Sequence, residues 1–183
     1  MTEFEKMTAG ELYDFSDPEL IAAVHEASRR TAALNATPVD DRTYGEALRR
    51  LIPDAHPSAM IVPPFFCDYG FRITLGEGVF INTRCTMLDS GGITVGARTK
   101  IGPDCEFYTP QHPVDFEERR RPVERGLAIA IGEDCWLGGN VTVCPGVTIG
   151  DRTVVGAGSV VVHDLPSDVL AAGNPAVVKR KLR

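Results

Sequence analysis

The sequence predicts a mainly β protein, a parallel β-helix made of short repeats, preceded by a small α-helical region. The first observation is an uninterrupted period of six through Ile129, Cys135, Val141, Val147, Thr153, Ser159 and Leu165. The second is an aliphatic residue followed by glycine within these sextets, as in Ile131-Gly132 and Ile149-Gly150. Repetition at a fixed period indicates a stacked solenoid. The alternative, a β-sandwich, has turns at irregular spacings of about eight to twelve residues.

A period of six assigns one short strand and one turn to each repeat. Three repeats then make a triangular coil of about eighteen residues, and successive coils stack about 4.8 Å apart. The same period occurs in two shorter upstream runs, Ile73-Val79-Cys85 and Ile93-Thr99-Cys105. We therefore expect coils over residues 73–110 and again from 129 to 165. The period does not give the hand of the coil, and the general rule for crossover connections favours a right-handed one.

Residues 1–56 show helical patterns, so the solenoid domain is predicted to occupy 57–183. Three pairs have the spacing of a capping box: Thr2 with Glu5, Ser16 with Glu19, and Thr43 with Glu46. An apolar stripe at helical intervals follows the second pair: Leu20, Val24, Ala27, Thr31 and Leu34. The proline-rich stretch 54–64 is predicted to cross from the helices to the coils.

A polar segment at about 111–128 interrupts the period of six. It begins with Gln111-His112-Pro113 and continues into a run of acidic and then basic residues. An insertion of this kind is usually expelled from a solenoid as a loop, often above the binding face.

Composition restricts the partners and the compartment. The chain has 183 residues and a net charge of −6, which argues against a nucleic acid or an anionic membrane as the main partner. Its apolar stretches are too short to span a bilayer, and no secretory signal is predicted. Five cysteines without a CxxC pair indicate free buried thiols rather than disulfides or a zinc site, so we expect no bound metal and a cytoplasmic protein.

Ordered blocks along nearly the whole chain resemble one known family. They are Met7–Tyr13, Pro63–Gly70, Phe80–Asn82, Met87–Asp89, His112-Pro113, Ile131–Gly139, Pro145–Gly150 and Ala172–Ala176. In these blocks the chain resembles the hexapeptide-repeat acyltransferases, and within them the maltose/galactoside O-acetyltransferase group that includes the nodulation acetyltransferases. The resemblance implies a left-handed parallel β-helix, a homotrimer with active sites between adjacent subunits, and acetyl-CoA as a co-substrate rather than a permanently bound cofactor.

Acetyl transfer to a hydroxyl needs a general base, and histidine suits this role because its ordinary pKa lies near neutrality. Of four histidines, only His112 lies where the repeat is interrupted, and it matches the family's catalytic histidine. A solvated surface histidine is the alternative. No serine or cysteine with an adjacent histidine suggests an acyl-enzyme, so we expect direct attack on the thioester. The predicted activity is O-acetylation of a sugar or oligosaccharide by acetyl-CoA.

The resemblance also assigns contacts to the acceptor. They fall on Asp17, Asp68, Asn82 and Asp89. Each has a structural alternative: an Asp before a proline can cap a helix, and corner Asn or Asp side chains can bind their own backbone. An arginine that relatives carry early in the second helix is replaced here by the stretch 22–25, and Phe80 lacks a phenolic hydroxyl. The acceptor pocket is therefore expected to differ from that of relatives.

Coenzyme A contacts are assigned in the same way. They fall on Gly139, Ala157, Val162, His163 and Arg180, with Trp136 as a supporting residue. The basic end of the chain suits coenzyme phosphates. Each has a structural alternative: Gly139 can be a corner glycine, Trp136 can be a packing residue, and the basic end can be a solvated terminus.

The sequence leaves other functions open. A γ-class carbonic anhydrase shares the scaffold but needs three converging histidines. Serine acetyltransferases resemble the chain only in the coils and have a longer helical N-terminal region. An acetyltransferase with a non-sugar acceptor and a non-catalytic trimeric β-helix protein are the remaining alternatives.

Overall fold

The computed structural model describes all 183 residues, and its N-terminal region is helical as predicted. The elements there are α1 (Glu3–Ala9), the two-residue strand β1 (Tyr13–Asp14), α2 (Pro18–Asn35) and α3 (Tyr44–Leu51). The predicted apolar stripe of α2 faces inward, and four of its members are buried: Leu20, Ala27, Thr31 and Leu34. No helix of the chain has both the length and the apolar character needed to cross a bilayer.

The helix caps follow the predicted spacing only once. Thr2 and Glu5 form the predicted capping box of α1. The prediction for Ser16 is wrong, because Asp17 caps α2 by accepting a hydrogen bond from the Glu19 amide at 2.9 Å. A proline follows Asp17, and proline favours the first position inside a helix, which moves the cap to the residue before it. The Thr43 side chain makes no capping bond to α3.

Triangular coils begin directly after α3. The first three coils comprise β2 (Asp54–Ala55), β3 (Met60–Ile61), β4 (Phe65–Cys67), β5 (Ile73–Leu75), β6 (Phe80–Ile81), β7 (Cys85–Leu88), β8 (Ile93–Val95), β9 (Lys100–Ile101) and β10 (Glu106–Tyr108). An excursion follows, with β11 (Pro110–Gln111), α4 (Phe116–Arg119) and β12 (Val123–Gly126). The later strands are β13 (Ile129–Ile131), β14 (Trp136–Leu137), β15 (Thr142–Val143), β16 (Thr148–Ile149), β17 (Val154–Val155), β18 (Val160–Val161), β19 (Val169–Gly173) and β20 (Ala176–Lys181).

Each coil contributes one strand to each of three sheets, which form the faces of a prism. Face 1 is β2, β5, β8, β13 and β16; face 2 is β3, β6, β9, β14, β17, β19 and β20; face 3 is β4, β7, β10, β15 and β18. Strands on a face pair in parallel, except for the closing hairpin of β19 and β20. The predicted parallel solenoid is thereby confirmed. We call the turn from face 2 to face 3 the 2–3 corner, and the turn from face 3 to face 1 the 3–1 corner.

The sequence predicts that the proline-rich stretch 54–64 crosses from the helices to the coils. This prediction is wrong, because the stretch forms part of the first coil. Ala55 pairs with Leu75, and Ile61 pairs with Ile81. The prolines fall outside the strands, where no ladder N–H is required of them. Ala55, Ile61 and Cys67 stand six apart, so the period itself was a usable signal.

The interior of the prism holds one continuous apolar core with free thiols, as predicted. Cys85, Cys105 and Cys135 are buried, and each thiol donates to a glycine carbonyl of the following coil at 3.1–3.2 Å. All five cysteines are free.

The excursion is tied to the N-terminal region. β12 pairs antiparallel with β11 on one side and with β1 on the other, and in the second pairing Tyr13 stands opposite Glu124. The N-terminal segment thus fixes the position of a loop more than a hundred residues further along the chain.

Candidate active site

His112 follows β11 at the 3–1 corner, and its ring is oriented by the excursion. Its Nδ1 lies 3.4 Å from the Val123 carbonyl oxygen. A carbonyl can only accept, so Nδ1 carries the proton in this contact, and in the neutral imidazole the lone pair is then on Nε2. The Phe15 ring packs edge-on against the imidazole, with ring centroids 5.8 Å apart. His112 is 53% exposed, which leaves it open to a substrate.

Glu124 joins His112 to the N-terminal region. One carboxylate oxygen, Oε2, lies 3.6 Å from His112 Nε2. The other, Oε1, accepts a hydrogen bond from the hydroxyl of Tyr13, which is almost fully buried. Burial and then Glu124 raise the pKa of Tyr13, so its phenol remains a donor. Sequence reasoning did not select Tyr13, Phe15 or Glu124, because nothing local in the sequence links them to His112.

A cavity of about 280 Å³ opens beside this arrangement. It is lined by Phe15, Ile21, Val24, His25, Asp68, Tyr69 and Glu124. Two of these walls, Phe15 and Glu124, contact His112 directly. A smaller cavity of about 210 Å³ includes His112 itself and the adjoining part of the excursion. The imidazole therefore stands between two openings at the 3–1 corner.

Asp68 and Asp89, both predicted acceptor contacts, lie at the same corner but differ in environment. Asp89 is fully buried, and its carboxylate accepts from the amides of Asp68 at 3.1 Å, Tyr69 at 2.8 Å and Arg72 at 3.3 Å. Burial raises the pKa of Asp89 to about 6 despite these donors. Asp68 faces the cavity, and burial, followed by the nearby Asp89 and Glu124 carboxylates, raises its pKa to about 7.

The raised pKa predicts that Asp68→Asn stabilises the protein at alkaline pH. The folded state binds the Asp68 proton more tightly than the unfolded state does, so this group's contribution to stability is fully present below about pH 4 and is lost as the pH rises through 7. The asparagine variant has no carboxyl group to ionise at this position, so its stability does not fall for this reason as the pH rises through 7. We expect its free energy of unfolding at pH 8 to exceed that of the wild type by about 1–3 kcal/mol, with the difference vanishing near pH 4.

Urea denaturation at pH 4, 6 and 8 measures this effect, at one fixed protein concentration. Asp54→Asn serves as the control, because Asp54 is exposed and lies at the start of the first coil. A gain that is equal at all three pH values would contradict the assignment to Asp68 ionisation.

Three other predicted residues lie together at the 2–3 corner. Asn82 directly follows β6 there, and its side-chain oxygen accepts from the Thr83 amide at 2.8 Å. Gly139 and Ala157 occupy the same corner two and three coils later, where the Gly158 amide donates to the Gly139 carbonyl at 2.9 Å. A Cβ on the neighbouring Gly138 would lie 2.6 Å from the Ala157 amide nitrogen, so only glycine fits there.

The remaining predicted residues lie on face 2, at the 3–1 corner and at the start of α2. Trp136 is 58% exposed on the outside of face 2 and pairs with Val154, in the row that continues through Leu170 to Arg180. Val162 and His163 follow β18 and are exposed at the 3–1 corner. Asp17 caps α2 two residues after Phe15.

Face 3 separates the two groups of site residues. The four-residue strand β7 runs across face 3 from the corner that holds Asn82 to the corner that holds Asp89. Within one chain, His112 and the cavity therefore lie at one edge of this face, and Asn82, Gly139 and Ala157 lie at the opposite edge.

Comparison with known proteins places this arrangement in a family. The model of the bacterial transferase hexapeptide (six repeats) matches residues 129–163, and that of the maltose acetyltransferase hexapeptide capping motif matches residues 6–55. A maltose O-acetyltransferase from Clostridium difficile 630 is 36% identical and has a TM-score of 0.96, with 100% of this chain and 98% of that chain covered. The chain belongs to the hexapeptide-repeat acetyltransferases. The resemblance seen in the sequence is thus confirmed.

Two further structures support the same assignment of this acetyltransferase. A hexapeptide-repeat acetyltransferase of Vibrio cholerae O1 biovar eltor, in complex with acetyl-coenzyme A, is 38% identical over 100% of both chains, with a TM-score of 0.92. A galactoside acetyltransferase in complex with coenzyme A is 30% identical, covers 100% of this chain and 92% of that chain, and has a TM-score of 0.95. The acetyltransferase is therefore of the maltose/galactoside type in both its coils and its helical cap.

Proposed function

We propose that this acetyltransferase transfers the acetyl group of acetyl-CoA to a hydroxyl of a sugar or oligosaccharide, with His112 as the general base. The observation that carries the proposal is the orientation of the imidazole. Val123 holds Nδ1, and Nε2 presents its lone pair beside a cavity lined by carboxylates and aromatic rings. Relatives that bind acetyl-CoA or coenzyme A share this fold over the whole chain.

The proposed reaction is a direct transfer. The acceptor oxygen attacks the thioester carbon while His112 Nε2 removes the hydroxyl proton. The carbon–sulfur bond of the tetrahedral intermediate then breaks, and the departing thiolate takes the proton from Nε2, which returns His112 to its starting state. A backbone N–H near Gly139 is the proposed donor to the oxyanion, because a glycine turn can present one without a steric cost.

The cavity has the chemistry of a carbohydrate site. Asp68 and Glu124 offer carboxylate oxygens that accept from sugar hydroxyls, and Phe15 and Tyr69 offer apolar faces. Neither lysine nor arginine lines it. Asp17 and Asn82 remain proposed acceptor contacts. Asp89 remains one as well, although in this structure its carboxylate is turned to the backbone amides of the neighbouring turn.

A complete site requires two copies of the chain. The base lies at the 3–1 corner, whereas Gly139 and Ala157 lie at the 2–3 corner, at the opposite edge of face 3. We propose a homotrimer in which the 3–1 corner of one subunit meets the 2–3 corner of the next. Acetyl-CoA then lies along the seam, with Val162, His163 and Trp136 nearby. Arg180, on the basic strand β20, lies near the coenzyme phosphates.

Thiol release from acetyl-CoA, measured across a panel of sugars, amino sugars, oligosaccharides and amino acids, tests the proposal. We expect release that depends on a carbohydrate acceptor, together with an O-acetylated product. Release that occurs only with amino acids, or with no acceptor of the panel, would overturn the carbohydrate assignment.

A further inference from the structure

Glu124 lines the acceptor cavity, and it also faces the proton-accepting nitrogen of His112. Glu124 Oε2 lies 3.6 Å from Nε2, the nitrogen that takes the proton. When His112 is neutral with its proton on Nδ1, Nε2 and Oε2 are both acceptors, and the attacking hydroxyl donates its single proton to Nε2. Once its proton has moved to Nε2, the imidazolium faces the carboxylate, which stabilises the new charge.

Glu124 would not hold this position without a second contact. Its carboxylate shares the corner with those of Asp68 and Asp89, and the like charges repel one another. No lysine or arginine forms an ion pair with Glu124. An unrestrained glutamate in this environment would turn towards solvent.

Tyr13 supplies the restraint. The pairing of β1 with β12 places Tyr13 directly opposite Glu124, and the phenol donates to Oε1 from an almost fully buried position. With Oε1 held, Oε2 is left facing His112. The phenol itself does not contact His112, so it acts on the imidazole only through the carboxylate.

We propose that Glu124 and Tyr13 are positioning residues for the base, with Tyr13 fixing the Glu124 carboxylate against His112 Nε2. The proposal rests on the proposed function, since it assigns the two residues to the step in which His112 takes the proton. It also gives the N-terminal segment a part in catalysis, because β1 brings the phenol to the excursion.

A double-mutant cycle tests the proposal. Glu124→Ala is expected to lower kcat about 10- to 100-fold, and Tyr13→Phe about 3- to 10-fold, with little change in the KM for acetyl-CoA. Because Tyr13 acts through Glu124, adding Tyr13→Phe to Glu124→Ala should lower kcat by less than about twofold further.

Matched controls separate positioning from general damage. Glu117→Ala removes an exposed glutamate of the same excursion and should leave kcat unchanged. Tyr44→Phe removes a buried phenol that bonds the Ile61 backbone at 2.7 and 2.8 Å, and should lower stability but not kcat.

Additive effects of Tyr13→Phe and Glu124→Ala on kcat would overturn the proposal that Tyr13 acts through Glu124. Unchanged kcat in both single variants, with His112→Ala inactive, would overturn the proposal and leave the base intact. An active His112→Ala would overturn the proposed function as well.

Discussion

His112→Ala is expected to lower kcat by at least about 10²-fold, because general base catalysis by a positioned side chain contributes about 10²- to 10⁴-fold. The KM for acetyl-CoA should change little, since the proposed coenzyme contacts, at the 2–3 corner, on face 2 and at Val162 and His163, do not include His112. A loss confined to kcat indicates an interaction made in the transition state rather than in binding. Steady-state thiol release at saturating acceptor measures both constants.

The control for this variant is His56→Ala. His56 is exposed at a turn of the first coil, where its Nδ1 lies 2.8 Å from the Ser58 hydroxyl. It has no contact with the excursion, so its removal should leave kcat unchanged. Full turnover by the His112 variant would remove this residue from the mechanism, whatever the geometry around it.

Asp89→Ala is expected to destabilise the protein by about 3–5 kcal/mol. The Asp89 carboxylate is the acceptor for three backbone amides, those of Asp68, Tyr69 and Arg72, and each buried donor left without a partner costs about 1–3 kcal/mol. The cost of burying the carboxylate is recovered, which keeps the total below the sum of the three. Urea denaturation measures the loss.

The same substitution separates two roles for Asp89. If its main role is to hold the turn at 68–72, Asp89→Asn should retain part of the stability and change the acceptor KM only modestly, because one oxygen can still accept from the amides. If it contacts the acceptor, Asp89→Asn should raise that KM strongly at little cost in stability. Asp54→Ala, at an exposed aspartate, gives the baseline and should change stability by less than about 0.5 kcal/mol.

Much of the fold was predictable because each coil repeats one local rule. A buried residue every six positions, a glycine where adjacent coils approach closely and an interrupted period at the excursion are all visible in the sequence. The first coil was missed because its prolines resemble a linker, although Ala55 and Ile61 keep the period. The sequence offers two caps for α2, Ser16 by its spacing to Glu19 and Asp17 by the proline that follows it, and the structure shows Asp17 in this place.

The candidate site was predictable only in part. His112 stands out because it interrupts the repeat, but its partners do not. Tyr13 and Glu124 are 111 residues apart and meet only through the pairing of β1 with β12. Likewise, the separation of His112 from Gly139 across face 3 appears only once the strands are assigned to faces. Contacts set by long-range pairing leave no periodic trace in the sequence.

A crystal structure with coenzyme A and an acceptor sugar tests the central claim most directly. We predict that the acceptor hydroxyl lies within about 2.6–3.2 Å of His112 Nε2 of one subunit. The thiol of coenzyme A should lie beside it, while the rest of the coenzyme contacts Gly139 and Arg180 of the adjacent subunit. A coenzyme bound on a face remote from the 3–1 corner, or a His112 ring turned away from the thiol, would contradict the account.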